Sequence, residues 1–227
     1  MLKLLQKSIY TTDSNLRMKK IFYFILALLS NTISGQESEK QQVRLCFSRY
    51  KEAILLNNGL AAAKHLDTNT RFYYQKMAEM IKFSDSAQVD SSNILDKTLL
   101  LMVRHLISYK DLNTLTGPSL FVFAVDAGLV GKENLKQNNI AKVDLDSNFA
   151  KGQHAVNGMG TSIYYDFFKE GKDWKIDLTS IFDIALISFE NVVALSNQST
   201  NEFIFGAIQL QTGATINNSI WHPAFKR

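Results

Sequence analysis

The chain has 227 residues, 46% of them hydrophobic and 20% charged, which places it among globular proteins and excludes the disordered class. Its net charge of +4 sits in the first 35 residues, where Lys3, Lys7, Arg17, Lys19 and Lys20 stand against Asp13 alone. The remainder is electroneutral, which excludes the basic body that a nucleic-acid footprint requires.

The leader comes first. In "MKKIFYFILALLSNTISGQ", two lysines precede the apolar run Ile21–Leu29, and Ser30, Thr32, Ser34 and Gly35 follow it. This is the order of a secretory signal. The run is shorter than the ~20 residues of a membrane span. The sequence therefore predicts a signal peptide over residues 1–35, starting at Met1 or Met18, with cleavage near Ser34–Gln36. The mature product is expected to be periplasmic or secreted, without a membrane span. Cys46 is the only cysteine, so no internal disulfide can form. Its apolar context predicts a buried thiol.

Val43, Phe47, Tyr50 and Ile54 recur at helical spacing and predict a helix over 39–57, stopped by Asn57-Asn58-Gly59. A short piece over 60–66 follows. A second helix is expected over 71–83, then a polar connection "SDSAQVDSS", then a third helix over 92–109 with the stripe Leu95, Leu99, Met102, Val103 and Leu106. Thr116-Gly117-Pro118 reads as a turn, and Leu120–Val125 as an apolar strand. Ala141, Val143 and Leu145 alternate with polar residues and predict a half-buried strand. A long strand bent at Gly158 and Gly160 is expected over 153–168. The tip "KEGKD" reverses it into the strand of Trp174, Ile176 and Leu178. Ser180 and Asp183 have capping-box spacing before a helix with Ile181, Ile184, Ser188, Val192 and Leu195 on one face. A last helix is expected over 202–211. Trp221 and Phe225 should pack on the body. The fold class is α+β, in one mature domain over 36–227.

"FSRYKEAILL" in the first helix and "GKDWKIDL" in the closing hairpin carry a resemblance. The chain resembles the cone-shaped superfamily of nuclear transport factor 2, ketosteroid isomerase and SnoaL-like proteins, over residues 39–178. The resemblance implies a curved antiparallel sheet wrapped around a helix, an open pocket and homodimerisation through the sheet face. The third helix exceeds the usual insertion, and the helical tail 179–227 is extra.

No spacing of His65, His105, His154 and His222 matches a metal motif, and neither a nucleophile elbow nor a phosphate loop occurs. No metal or cofactor is expected. The pocket of such a cone would be lined by Tyr73, His105, Asp126, His154 and Tyr165, as ligand-binding rather than catalytic residues. Asp126, after the apolar strand, has a turn residue as its plainer reading. An unshifted strand register sets His154 on the face opposite Ile163 and Tyr165, toward either the cone or solvent. The function read from the sequence is an exported, non-catalytic protein binding a small apolar ligand or a protein partner through the cavity or the sheet face. Two rivals are a SnoaL-like isomerase, cyclase or hydrolase with a buried acid–base residue, and a periplasmic immunity-type protein with a charged interface.

Overall fold

The computed structural model describes residues 35–130 and 132–223. Apart from Gly35, the expected leader lies outside these residues, as does Phe225. Residues 35–55 form helix α1. The part up to Gln42 belongs to a first unit, Met1–Gln42, in which Lys40 pairs with Glu37 at 2.8 Å. The second unit, Val43–Arg227, carries the rest of the fold. Its next helices are α2 Gly59–Ala63, α3 Thr68–Phe83, α4 Ser86–Asp90, α5 Ile94–Leu106, α6 Tyr109–Leu112 and α7 Gly117–Asp126. Helix α8, Lys132–Leu135, leads into the strands β1 Asn138–Asp146, β2 Phe149–Val156, β3 Met159–Glu170 and β4 Asp173–Asp177. A 3-10 turn Leu178–Ile181 precedes α9 Phe182–Ser196 and α10 Thr200–Thr212, and a second 3-10 turn covers Asn218–Trp221. The fold is α+β, with helices packed on an antiparallel sheet.

The sheet is a meander, β1-β2-β3-β4, bent by irregularities between Ile140 and Val143 and between Gln153 and Ala155. Its inner face presents Ile140, Val143, Ala150, Tyr165, Phe167, Trp174 and Ile176 to Phe47, Tyr50 and Ile54 of α1. The Phe47 and Tyr165 rings lie 5.3 Å apart. Exposed strand edges invite further pairing, and both edges here have partners. On β1, Arg44 donates to the Ala141 carbonyl at 3.1 Å and Lys51 to that of Asn138 at 2.9 Å. On β4, Ile176 pairs with the segment at Leu66, through His65 O and Asp67 N.

A second apolar core joins Met77 and Ile81 of α3, Leu100, Leu101 and Val103 of α5, Val193 of α9, and Ile204 and Ile208 of α10. Helix α7 serves both cores. Phe121 and Val125 belong to the sheet core, and Leu120 to the helical one.

This double burial corrects the expected strand over Leu120–Val125. A segment covered on two sides is apolar all round, so it loses the polar stripe that marks a surface helix. The apparent turn Thr116-Gly117-Pro118 is the helix start. Thr116 is the N-cap, closed into a capping box with Ser119, and the proline sits in the first turn. Asp126 is thus the last residue of a helix, not a turn residue after a strand.

The long strand expected over 153–168 is also corrected. It is a hairpin of β2 and β3, turned at Asn157-Gly158. Both residues have positive φ, 52° and 80°, as a two-residue loop matching strand twist requires. The reversal brings His154 to the side of Tyr165 rather than opposite it, with ring centroids 6.0 Å apart. The polar connection after α3 contains α4, capped by Asp85 and Gln88. Ser180 and Asp183 do not cap α9. Asp177 accepts from Thr179 N–H and caps the 3-10 turn instead. The apolar face expected to bury α9 is largely exposed, with Ile184 at 41%, Val192 at 52% and Leu195 at 84%.

Two glycines let α7 seat deeply. A Cβ on Gly117 would stand 2.6 Å from the backbone of Gln75 in α3, and one on Gly59 would stand 2.7 Å from that of Val122. Gly117 N–H donates to Gln75 Oε1 at 2.9 Å, and Gly59 N–H to Asp126 Oδ1 at 2.8 Å. Gly117→Ala should therefore destabilise the protein by about 1–3 kcal/mol, because backbone must move to admit the methyl. Urea unfolding of the variant measures this, and an unchanged midpoint would refute the close approach.

Candidate functional site

The residues expected to line one pocket fall into separate places. Tyr73, on α3, donates to Asp96 Oδ1 at 2.7 Å. Its ring packs edge-on against Phe182, with centroids 4.7 Å apart. Burial first, and the Asp96 carboxylate second, push the phenol well above its ordinary range. It fastens α3 to α5 and to the start of α9. His105 stands at the end of α5, its Nε2 3.3 Å from Thr212 Oγ1 at the end of α10. Thr212 gives its hydroxyl hydrogen to Ile208 O, which leaves the imidazole N–H as donor. Asp126 accepts from Gly59 N–H, as above.

His154 and Tyr165 do meet, under the sheet. Burial raises the Tyr165 phenol pKa. His154 Nδ1 lies 3.1 Å from Thr161 Oγ1, and that hydroxyl lies 3.1 Å from the His154 carbonyl. Both contacts are satisfied when Nδ1–H donates to the hydroxyl and the hydroxyl donates to the carbonyl. Nε2 is then a buried lone pair without a partner. Burial lowers the His154 pKa. No hydrogen bond joins it to Tyr165, so the pair lacks the geometry of an acid–base couple. Among the described residues no group of three His, Cys, Asp or Glu side chains converges as a metal site would require.

Among the described residues, a concave feature with the dimensions of a ligand site lies elsewhere. A cleft of about 340 Å³ opens between α5, the turn after α7, α9 and α10. Leu95, Leu99, Met102, Leu129 and Phe189 line it, with Thr98 and Gln211 as the polar side chains. The sequence places Leu95, Leu99 and Met102 on one apolar stripe of α5, and Met102 also belongs to the helical core. The signal for a cleft was the breadth of apolar surface on α5. Leu100, Leu101 and Val103 already fill the buried side, so a second apolar side needs a further cover.

The walls are fixed by polar ties at either end. Lys97 is buried on α5 and reaches Asp90 Oδ1 at 3.1 Å and Asn201 Oδ1 of α10 at 3.4 Å. The hydrogen bonds to Lys97 and Asn201 hold the Asp90 carboxyl below its usual range. At the other end, Arg104 is 2% exposed and donates to the carbonyls of Ile81, Ser84 and Ile220 at 2.7, 2.7 and 3.1 Å. It gathers the end of α3 and the last 3-10 turn onto α5, where a cation also meets the negative end of a helix dipole.

No family model matches the chain, and no curated protein or solved structure matches it.

His154 yields a pH test. Its folded pKa is lowered, so the unfolded chain binds a proton more readily below about pH 6.5. The stability it allows is complete above that pH and declines as pH falls toward the folded pKa. His65, also lowered by burial and then by Lys175, acts in the same direction. Urea midpoints between about pH 7.5 and pH 5 should fall less steeply for His154→Leu than for the wild type. Parallel slopes would contradict a neutral, buried imidazole.

Proposed function

We propose that this chain is an exported, non-catalytic binding protein whose cleft between α5, α9 and α10 takes a small apolar molecule. One observation carries the proposal: a concave space of about 340 Å³ walled by Leu95, Leu99, Met102, Leu129 and Phe189. That volume lies at the small end of ligand sites, which run about 300–1,000 Å³. Among the described residues no charged side chain lines it, so the fitting ligand is an uncharged or weakly polar amphiphile. Its apolar part would lie along α5, and its one polar group would meet Thr98 or Gln211. A medium-length acyl or alkyl chain has this chemistry. Export rests on the leader beginning at Met18. Kinship with the cone-shaped superfamily is part of the same reading, supported by an amphipathic helix lying on a bulged antiparallel sheet. The sheet's inner face is filled by Phe47, Tyr50 and Tyr165, so binding is assigned to the cleft rather than to the sheet.

The test is displacement of the dye N-phenyl-1-naphthylamine by medium-chain alcohols and fatty acids, followed by fluorescence. Wild type should bind the dye and release it to the alcohols. Thr98→Phe, which puts a larger apolar side chain into the cleft, should weaken binding roughly tenfold or more while the thermal midpoint is kept. Dye binding that Thr98→Phe leaves unchanged would overturn the assignment, as would no binding across the panel.

A further inference from the structure

The outward side of α9 has its own pattern. Ile184, Ile187, Asn191 and Ala194 follow each other at spacings of three, four and three, with Leu195 beside them. Ile187 is 58% exposed and Leu195 84%, while Val193 is the buried residue of this helix. This is the a/d spacing of a helix-packing seam, turned away from the body. Asn191 occupies an a-type position, where one polar residue fixes register. Ala194 is small enough at a d-type position for close approach. The positions flanking the seam on one side are Asp183 and Glu190, and α9 contains no basic residue.

We propose that this face is a docking site for a helix of another protein, with an apolar seam of its own and Lys or Arg along its flank. The flanking acids decide the occupant. A second copy docking α9 against α9 in antiparallel fashion would set Asp183 and Glu190 against each other, and like charges across an interface are costly. A parallel copy would offer them only Ser188 and Leu195. A basic flank gives each acid an opposite charge and keeps the seam aligned. The segment Leu178–Ser196 is long and apolar enough to cross a bilayer. Its first residues, however, are tied to the body. Leu178 N–H donates to Thr70 Oγ1 and Thr179 N–H to Asp177 Oδ1, each at 2.8 Å. Interfacial helices carry Lys or Arg on their polar face, and α9 carries acids. The proposal stands apart from the cleft.

The test uses the full chain and synthetic helical peptides about three heptads long, with Ile and Leu at the seam. One peptide has Lys at both flanks, the other Glu. The Lys peptide should bind at least roughly tenfold more tightly than the Glu peptide by fluorescence anisotropy. Ile187→Asp should abolish that binding. The double variant Asp183→Lys, Glu190→Lys should reverse the preference, a result a merely sticky surface would not give. Thr98→Phe should leave peptide binding intact, which separates this face from the cleft. Three results would overturn the proposal. These are equal binding of both peptides, a dimer in light scattering that Ile187→Asp dissolves, or flotation with zwitterionic vesicles that Ile187→Asp prevents.

Discussion

The fold depends on one helix being buried from two sides. Helix α7 gives Phe121 and Val125 to the sheet core and Leu120 to the helical core. Its backbone comes within methyl-excluding distance of α3 at Gly117 and of α2 at Gly59. Interiors pack at crystal-like density, so an element fixed at both ends and on both sides leaves its neighbours few alternative positions. The sheet side and the helical side are thus two cores with one shared wall. Tyr74 reinforces the wall, packing against both cores and edge-on against Phe121 at 5.1 Å.

Away from that wall the structure loosens by degrees. Buried polar ties hold the helical core together at a distance from α7, with Lys97 reaching α10, Arg104 gathering carbonyls, and Tyr73 bonded to Asp96. A buried charge is tolerated only where partners satisfy it, so these contacts fix geometry more than they add stability. Helix α9 buries only Val193. It sits at the rim of the helical core, one side forming the cleft through Phe189 and the other presenting apolar side chains to solvent. Both proposals draw on this placement. A helix that gives only Val193 to the buried core has two further sides on which to gain cover, from a ligand on one and a protein on the other.

The sequence is legible in α1 and β4, where one face meets water and the other the sheet core. Helix α1 kept its stripe at Val43, Phe47, Tyr50 and Ile54, and β4 kept the alternation of Trp174 and Ile176. The apolar context of Cys46 marks it as buried, which it is, and burial pushes its thiol up to about 12. Where water touched neither face, pattern failed. Helix α7 looked like a strand although Thr116, Pro118 and Ser119 spelled a helix start. The β2–β3 hairpin is hard to see in the sequence because Gly158 and Gly160 also fit a bent strand, while Asn157-Gly158 is the two-residue turn signal. An unbroken strand sets His154 on the face opposite Tyr165, whereas the hairpin and the irregularity between Gln153 and Ala155 bring the two rings together. Of the expected site residues only these two meet, because the others were drawn together by analogy with a cone. The cleft was hidden for a different reason. An apolar side chain lining a cavity and one filling a core have the same sequence signature.

Native-state hydrogen exchange on the full chain tests the shared wall most directly, because exchange separates elements that open locally from those that open only with the whole fold. The amides of residues 120–126 should exchange only by global unfolding, in step with β3 and α5, while those of α9 exchange through a smaller opening. Exchange from α7 as fast as from α9, or before the sheet and α5, would contradict the account.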